Sequence, residues 1–433
     1  METKIRFINN FLSGLVGVGV LIGSFNHQVE AGDWPGYRGP AQNGIATESF
    51  GFQGKPTTSW SAEVNNGFSS FCVVDGKLFT LELGDGKQET CRALDANTGE
   101  ELWKTPLGSS QYDGGGNAGS RDNSGGDGPR TTPSFYKGGL ITLSAHMHLS
   151  RLNPENGEKI WNIDLKKEFG AQLPRWQNAA SPIIFDGKIY ISAGGEKQSF
   201  LCLDAISGKE IWKSGTEDMT HASPVKASIH GVDQIIFFVR SGLVSMSPGD
   251  GRELWRQKFN FNVSTAASPV VYEDVVYCSA GYGVGAAAYK VSMNKGEWTT
   301  KNMWRKRNRL MNHWSTPVAK DGYLYGMFSF KKYGKGPVKC VRLSDGKEMW
   351  SEDGFGPGNV ILSDETIIAL GDKGQLVLIR ATPESYDEVF RTNALKGKCW
   401  STPALSDGSV YIRSTKQAKR LDFSSSALSG NFK

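Results

Sequence analysis

The stretch from His313 to Trp350 begins His-Trp-Ser-Thr-Pro-Val-Ala-Lys-Asp-Gly-Tyr-Leu-Tyr-Gly and ends Val-Lys-Cys-Val-Arg-Leu-Ser-Asp-Gly-Lys-Glu-Met-Trp. It contains a Ser-x-Pro, three short apolar runs separated by turns, and a final tryptophan. Asp-Gly between two apolar runs supplies the positive φ angles that a tight hairpin turn requires. The stretch therefore predicts a small antiparallel sheet with tryptophan in its last strand.

The same pattern recurs along almost the whole chain. Six copies end in tryptophan: Phe68–Trp103, Thr131–Trp161, Ala180–Trp212, Ala222–Trp255, Ala267–Trp304 and His313–Trp350. Four strands in a unit of about 40–50 residues are typical of a β-propeller blade. The recurring tryptophan offers a flat surface that packs between neighbouring blades, and each contributes on the order of 3 kcal/mol.

Two further copies are incomplete and decide the number of blades. Asn359–Phe390 lacks the Ser-x-Pro and ends in phenylalanine, and the copy that begins at Trp400 stops after Asp422 without a tryptophan. Thr57–Ala62 is an isolated strand-like piece that carries Trp60. Paired with the last copy, it would complete a blade and remove the exposed sheet edges of an open ring. We predict an all-β, eight-bladed propeller of four-stranded antiparallel blades over residues 57–433. If Asn359–Phe390 is only an insertion, there are seven blades.

The N-terminus has the pattern of a secretory signal peptide. Lys4 and Arg6 precede the apolar segment Phe11–Phe25, and Val29-Glu30-Ala31 follows as a cleavage site. This segment is too short to span a membrane comfortably. We expect a signal peptide over residues 1–31, an irregular arm over 32–56, and a soluble product exported to the periplasm or the extracellular space. No cysteine lies near the cleavage site, so the sequence does not support a lipid anchor on an N-terminal cysteine.

The net charge and the cysteine spacing argue against several classes of ligand and cofactor. The formal net charge of +5 gives no reason to propose nucleic acid. The six cysteines include no adjacent pair and no Cys-x-x-Cys, so neither a metal site nor an attached haem is predicted. We expect most of them to be buried thiols, with Cys72 and Cys91 the one pair worth testing as a disulfide. We also expect a monomer.

Several motifs resemble those of a known family. Leu-Asp-Ala-x-Thr/Ser-Gly-x-x-x-Trp, at Leu94–Trp103 and Leu203–Trp212, resembles the PQQ repeat of quinoprotein-type propellers. Exported bacterial PQQ-like propeller proteins are more similar still. They carry counterparts of four other motifs in this chain: Trp34–Pro40, Gly128–Pro133, Ser279–Gly283 and Asn312–Pro317. The outer-membrane assembly protein BamB, a non-catalytic scaffold, shares the repeat.

The resemblance implies two alternative functions. Quinoprotein dehydrogenases of this fold hold PQQ with calcium over the channel, between a tryptophan and a ring formed by two adjacent cysteines. This chain has no adjacent cysteines. We therefore expect a binding or scaffold module that acts through its channel mouth. The alternative is a PQQ-dependent dehydrogenase that oxidises alcohols or sugars with a variant cofactor pocket.

The residues just before each Ser/Thr-x-Pro should surround the mouth of the central channel, because each precedes an innermost strand. The candidate ligand-binding residues are Arg130, Asn178, His221, Asn312, His313, Trp314 and Trp400. This polar and aromatic ring favours a small polar or anionic ligand, or a segment of a protein partner. The alternative is a mouth that is polar because water fills the channel. No catalytic residue and no metal ligand is predicted.

Two other segments have a functional and a structural interpretation. Lys301–Arg309 is expected to be a basic loop leading to His313, either bound to anions through charge-assisted hydrogen bonds or simply solvated. Leu107–Arg130 is a long insert rich in Gly, Asp and Asn, which could wrap calcium or form a flexible cover. His221 and His313 could be general bases or could be bonded to backbone carbonyls.

Overall fold

The computed structural model describes residues 32–51, 54–111, 128–261, 263, 265–328 and 336–423. The expected signal peptide and most of the Leu107–Arg130 insert lie outside these residues. Among the described residues, no helix has the length and apolar character needed to cross a membrane.

Eight four-stranded antiparallel sheets, numbered here as blades 1 to 8 along the chain, form the ring. Blade 1 consists of Cys72–Val74, Lys77–Leu83, Gln88–Asp95 and Glu101–Ser109, and blade 2 of Ser134–Tyr136, Gly139–Leu143, His148–Leu152 and Lys159–Asp164. Blade 3 consists of Ile183–Phe185, Lys188–Ser192, Gly195–Asp204 and Glu210–Glu217, and blade 4 of Val225–Ile229, Val232–Val239, Gly242–Met246 and Glu253–Lys258. Blade 5 consists of Val270–Tyr272, Val275–Ala280, Gly285–Asn294 and Glu297–Lys306, and blade 6 of Val318–Lys320, Tyr323–Met327, Val338–Arg342 and Lys347–Glu352. Blade 7 consists of Asn359–Ser363, Thr366–Leu370, Gln375–Arg380 and Glu388–Asn393, and blade 8 of Ala404–Ser406, Ser409–Arg413, Gln417–Asp422 and Thr57–Glu63. The described helices are Leu165–Phe169 and a 3₁₀ turn at Asp85–Lys87.

The N-terminal strand closes the ring as the sequence predicts. Thr57–Glu63 pairs antiparallel with Gln417–Asp422 and so supplies the fourth strand of blade 8. The segment from Asn359 to Asn393 is a complete blade rather than an insertion. The prediction of eight blades is therefore confirmed, and the alternative of seven is wrong.

The recurring tryptophans join each blade to the next. Six indole N–H groups donate to a backbone carbonyl in a turn of the following blade, at 2.7–3.0 Å. The donors are Trp60, Trp103, Trp161, Trp212, Trp304 and Trp350. The glycine of the turn beneath the indole is required for two reasons. Gly99 has a φ of +75°, and a Cβ there would lie 2.7 Å from the Trp60 ring.

Blades 4 and 7 lack this bond to the next blade, because the next blade has no turn that could accept an indole N–H. Trp255 donates instead to Gln234 Oε1 of its own blade at 2.7 Å, because blade 5 has a hairpin of two ten-residue strands where the other blades have this turn. Phe390 ends blade 7, and the third and fourth strands of blade 8 come from opposite parts of the chain, so no such turn connects them. An indole N–H would have no turn carbonyl to reach there, and a phenyl ring is sufficient.

A belt of hydroxyl groups lines the inner edge of the ring. The residue before the inner-strand proline, or Ser70 at the same position of blade 1, donates its backbone N–H to the hydroxyl of the equivalent residue in the next blade, at 2.8–3.1 Å. The pairs are Thr402 to Ser70, Ser70 to Thr132, Thr132 to Ser181, Ser181 to Ser223, and Ser268 to Thr316. The Ser/Thr of the repeat is thus an acceptor that links neighbouring blades.

The N-terminal arm crosses the channel. Arg38 is buried and donates to the carbonyls of Thr316 and Pro317 in blade 6. Gln42 then reaches the Ile184 carbonyl in blade 3 at 3.1 Å, and Ala46 N–H donates to the Leu362 carbonyl in blade 7 at 2.8 Å. Blades 3 and 7 lie on opposite sides of an eight-bladed ring. Residues 38–46 must therefore pass over the channel, where they close one of its ends.

All six cysteines lie in the described part of the chain, where each is buried and none forms a disulfide. Burial is the main cause that raises the pKa of Cys202 and of Cys399 to about 12. Cys72 and Cys91 are not bridged. Thiols that are buried and kept protonated pack as small apolar side chains and are poor nucleophiles.

Candidate functional site

A cavity of about 120 Å³ lies in the channel on the side where the inner strands begin. The residues that line it come from the segments preceding these strands, and Tyr37 of the arm lies against it from the closed side of the channel. The cavity is consequently a blind pocket rather than an open pore. Its opening is the channel mouth that the repeat pattern predicts.

Five of the seven predicted site residues line this cavity: Arg130, His221, His313, Trp314 and Trp400. Asn178 and Asn312 do not. Both are fully buried, and their amide groups hold the backbone instead. Asn178 bonds the N–H and carbonyl of Ala180, and Asn312 accepts from the Tyr277 hydroxyl at 2.6 Å and donates to the Met327 carbonyl at 2.7 Å.

The sequence reasoning missed four aromatic residues of the lining: Tyr37, Phe68, Trp176 and Tyr282. Two of them stand in motifs that carry the family resemblance, Tyr37 in Trp34–Pro40 and Tyr282 in Ser279–Gly283. Phe68 opens the first repeat at the position equivalent to the other mouth residues. Only Trp176 has no repeat signal.

Five of the lining rings form a continuous arc across four blades. Adjacent ring centroids are 5.2 Å apart between Phe68 and Trp400, 4.3 Å between Trp400 and Trp314, 5.3 Å between Trp314 and His313, and 5.0 Å between His313 and Tyr282. Separations of this size are typical of favourable aromatic contacts. The side of blades 1, 8, 6 and 5 is therefore an aromatic wall.

The protein holds the polar edges of the two indoles. Trp314 donates its N–H to the Pro357 carbonyl at 3.0 Å. Trp400 donates to Asp372 Oδ1 at 2.6 Å, and Lys398 Nζ lies 3.7 Å from the same oxygen. With their N–H groups engaged in this way, both rings present mainly apolar surface to the cavity.

The opposite side, formed by segments leading into blades 2, 3 and 4, is polar. Arg130 is the one formally charged residue among those lining the cavity, and its guanidinium donates to the Trp176 carbonyl. His221 Nε2 lies 3.0 Å from the Arg175 carbonyl. A carbonyl can only accept, so Nε2 of the neutral imidazole carries the hydrogen.

Both histidines are neutral at physiological pH. Burial, with smaller contributions from the charges of Arg130 and His313, lowers the pKa of His221 to about 3. Burial also lowers the pKa of His313 to about 4. The positive charge of the cavity is therefore that of Arg130, and the imidazoles contribute hydrogen-bonding groups without charge.

The prediction of a basic loop at Lys301–Arg309 is wrong for most of this segment. Residues up to Lys306 belong to the last strand of blade 5, Glu297–Lys306, because this blade extends its outer hairpin to ten residues per strand. The guanidinium of Arg305 stacks on Phe259 at 4.0 Å and donates to the Val284 carbonyl. None of these basic residues lines the cavity.

The lining does not fit a calcium-held quinone. Calcium requires six to eight oxygen ligands, several of them carboxylates, and neither a carboxylate nor a cysteine is among the residues that line the cavity. Asp372, behind Trp400, is engaged by the indole and by Lys398. Across the described ranges, no cluster of three or more His, Cys, Asp or Glu could hold a metal ion.

Comparisons with known proteins agree with this architecture. A family model described as outer membrane protein assembly factor BamB matches residues 87–352. BamB from Moraxella catarrhalis has 13% sequence identity and a TM-score of 0.57, with 88% of this chain and 100% of that chain covered. Quinohemoprotein alcohol dehydrogenase from Comamonas testosteroni has 12% identity and a TM-score of 0.64, with 93% and 82% covered. At these identities the two structures show a shared fold alone. No curated protein matches the sequence.

Proposed function

Because the chain belongs to the PQQ-repeat propeller family of the outer membrane protein assembly factor BamB, we propose that it is an exported, non-catalytic binding module. Its ligand is a small polar or anionic molecule that occupies the cavity at the channel mouth. One observation carries the proposal. The cavity combines a single cation, Arg130, with an aromatic wall in a blind pocket.

The closed end of the channel supports a binding role. A pocket that contains one charge and many aromatic side chains is typical of sites that enclose a small molecule. The arm closes the end of the channel where Tyr37 lies. A ligand therefore enters the cavity from the mouth, past Tyr282, which is 41% exposed.

The protonation states support the absence of catalysis. A general base works best when its pKa lies near the operating pH. The pKa values of His221 and His313, lowered to about 3 and about 4, make both imidazoles weak bases at neutral pH. The lining also lacks a carboxylate that could orient them.

Native mass spectrometry of the protein isolated from its own compartment tests the proposal. We expect a bound small molecule that is retained by the wild type and lost from Arg130→Gln and Trp314→Ala. Arg252→Gln, in an exposed turn of blade 4, is the matched control and should retain it. Equal retention by Arg130→Gln would contradict the proposed site.

A protein partner at the same mouth is the second candidate, and the printed description of the family as an assembly factor favours it. A partner that inserts a segment into the cavity would compete with the small molecule. Pull-down from the native compartment with wild type and Trp314→Ala distinguishes the two, since only a partner seated in the cavity is lost from the variant.

A PQQ-dependent dehydrogenase is the alternative that the lining does not favour. Dye-linked alcohol oxidation after addition of PQQ and calcium examines it directly. Turnover that is present in the wild type and absent from Trp400→Ala would overturn the binding-module proposal.

A further inference from the structure

The cavity is divided into a charged side and an aromatic side. Arg130, Trp176 and His221 belong to the segments that lead into blades 2, 3 and 4. Trp314 and Trp400 lie across the channel, before blades 6 and 8, with their centroids 4.3 Å apart. A ligand that satisfies both sides has an anionic group at one end and a flat apolar body at the other.

The charge of the cavity matches a single negative charge. Arg130 is the one cation of the lining. Lys398 is held against Asp372, and the Arg175 guanidinium lies over the Trp176 ring at 4.8 Å; neither residue lines the cavity. A planar guanidinium pairs with a carboxylate through two parallel hydrogen bonds. A second negative charge would be buried without a partner, which is costly, and a cationic ligand would meet no carboxylate.

The size of the cavity matches one ring. An apolar cavity of about 150 Å³ is known to take up benzene, and the volume here is about 120 Å³. Aromatic rings gain additional energy when they stack on other aromatic rings at the separations found in this wall. A fused tricyclic ligand with several carboxylates exceeds the charge of the site, and much of it would project beyond this volume through the mouth.

We infer that the ligand is a single-ring aromatic monocarboxylate, with its carboxylate at Arg130 and its ring against Trp314 and Trp400. This inference rests on the proposed function, because it specifies the ligand of the same cavity. It assigns Arg130 as the anion-binding residue and the two tryptophans as the ring-binding residues.

Titration of tryptophan fluorescence at pH 7 with four probes tests the inference. Benzoate is the reference, benzamide removes the charge, cyclohexanecarboxylate removes the aromatic face, and phthalate adds a second carboxylate. We expect benzoate to bind at least tenfold more tightly than each of the others. Arg130→Gln should weaken benzoate at least tenfold, Arg130→Lys should recover part of the loss, and Arg252→Gln should bind as the wild type does.

The outcomes separate the ligand class from the site. Benzamide binding as tightly as benzoate, or benzoate binding unchanged in Arg130→Gln, would overturn the inference. Binding of phthalate or cyclohexanecarboxylate that exceeds benzoate and is lost in Arg130→Gln would reject the single-ring aromatic monocarboxylate and retain the binding module. If no probe changes the fluorescence and mass spectrometry finds no retained molecule, the inference and the proposed function both fail.

Discussion

The indole rings of Trp314 and Trp400 lie 4.3 Å apart between centroids, although they precede the inner strands of blades 6 and 8. Blade 7, which lies between them, begins with Gly-Pro-Gly-Asn in place of a Ser/Thr-x-Pro. Its Pro357 carbonyl receives the Trp314 N–H, and a Cβ on Gly358 would lie 1.8 Å from the Leu370 carbonyl. The irregular seventh repeat therefore supplies the carbonyl that fixes the Trp314 ring, and the packing of Gly358 against the second strand of its own blade requires a glycine there.

This ring pair predicts an optical signature. Two indoles in contact couple their electronic transitions, so the wild type should show a paired positive and negative band in its circular dichroism spectrum, in the region where tryptophan absorbs. Trp314→Phe and Trp400→Phe should each remove the same band. Trp161→Phe, which changes an indole that docks on blade 3, should leave it. Persistence of the band in either site variant would contradict the geometry.

The indole N–H bonds between blades predict a difference between two equivalent substitutions. Trp304→Phe removes the donor to the Leu343 carbonyl, at 2.7 Å, and should lower the free energy of unfolding by about 1–3 kcal/mol. Trp212→Phe should cost less, because the Pro248 carbonyl also accepts from the Tyr190 hydroxyl at 3.1 Å. Urea unfolding measures both. A larger loss for Trp212→Phe would contradict this account.

The hydroxyl belt predicts unequal effects of two serine substitutions. Ser181→Ala removes the acceptor of the Thr132 N–H, at 2.9 Å, and leaves a buried donor unpaired, which should cost about 1–3 kcal/mol. The buried hydroxyl of Ser268 makes no hydrogen bond within the described residues, so Ser268→Ala should be close to neutral. Equal losses of stability in thermal unfolding would show that the belt does not hold the blades together.

Closure of the ring predicts that the N-terminal strand is required for stability. Trp60 is buried and donates to the Ala96 carbonyl of blade 1 at 2.9 Å. Trp60→Ala should lower the free energy of unfolding by about 3–5 kcal/mol, as for other large-to-small changes in a core. Ser59→Ala, an exposed position on the same strand, is the control and should cost well under half as much. An unchanged melting curve for Trp60→Ala would refute the closure.

The buried histidine predicts how stability depends on pH. Burial keeps the pKa of His221 in the folded state near 3, below its ordinary value of 6.5. The unfolded chain then binds the proton more readily, so this contribution to stability is complete above pH 6.5 and declines as the pH falls toward 3. The loss between pH 7 and pH 5 is about 2 kcal/mol. Denaturant unfolding at both pH values should show a smaller loss in His221→Gln than in the wild type.

The fold follows from the sequence because its signals are local. An Asp-Gly turn, an apolar run and a terminal tryptophan each act within one blade, and eight approximate copies define the ring without knowledge of distant contacts. Even the closing strand is predictable, since Trp60 stands alone at one end of the chain and a tryptophan is missing at the other.

Position relative to the repeat also predicts which residues approach the channel, but it does not predict which way their side chains turn. The side chains of Arg130, His221 and Trp400 reach the cavity. Those of Asn178 and Asn312, which are one or two residues away from lining residues, hydrogen-bond to backbone groups instead. The sequence predicts a loop at Lys301–Arg309 from its run of basic residues, whereas the last strand of blade 5 continues to Lys306.

The sequence alone predicted the blades, favoured eight of them and identified five residues that line the cavity, because these depend on short-range patterns repeated along the chain. Only the tertiary structure decided the pocket. The contact between Trp314 and Trp400 brings together segments that precede blades 6 and 8, and the closed end depends on an arm that bonds to blades 6, 3 and 7. Such features join residues far apart in the chain, and no local pattern encodes their distances.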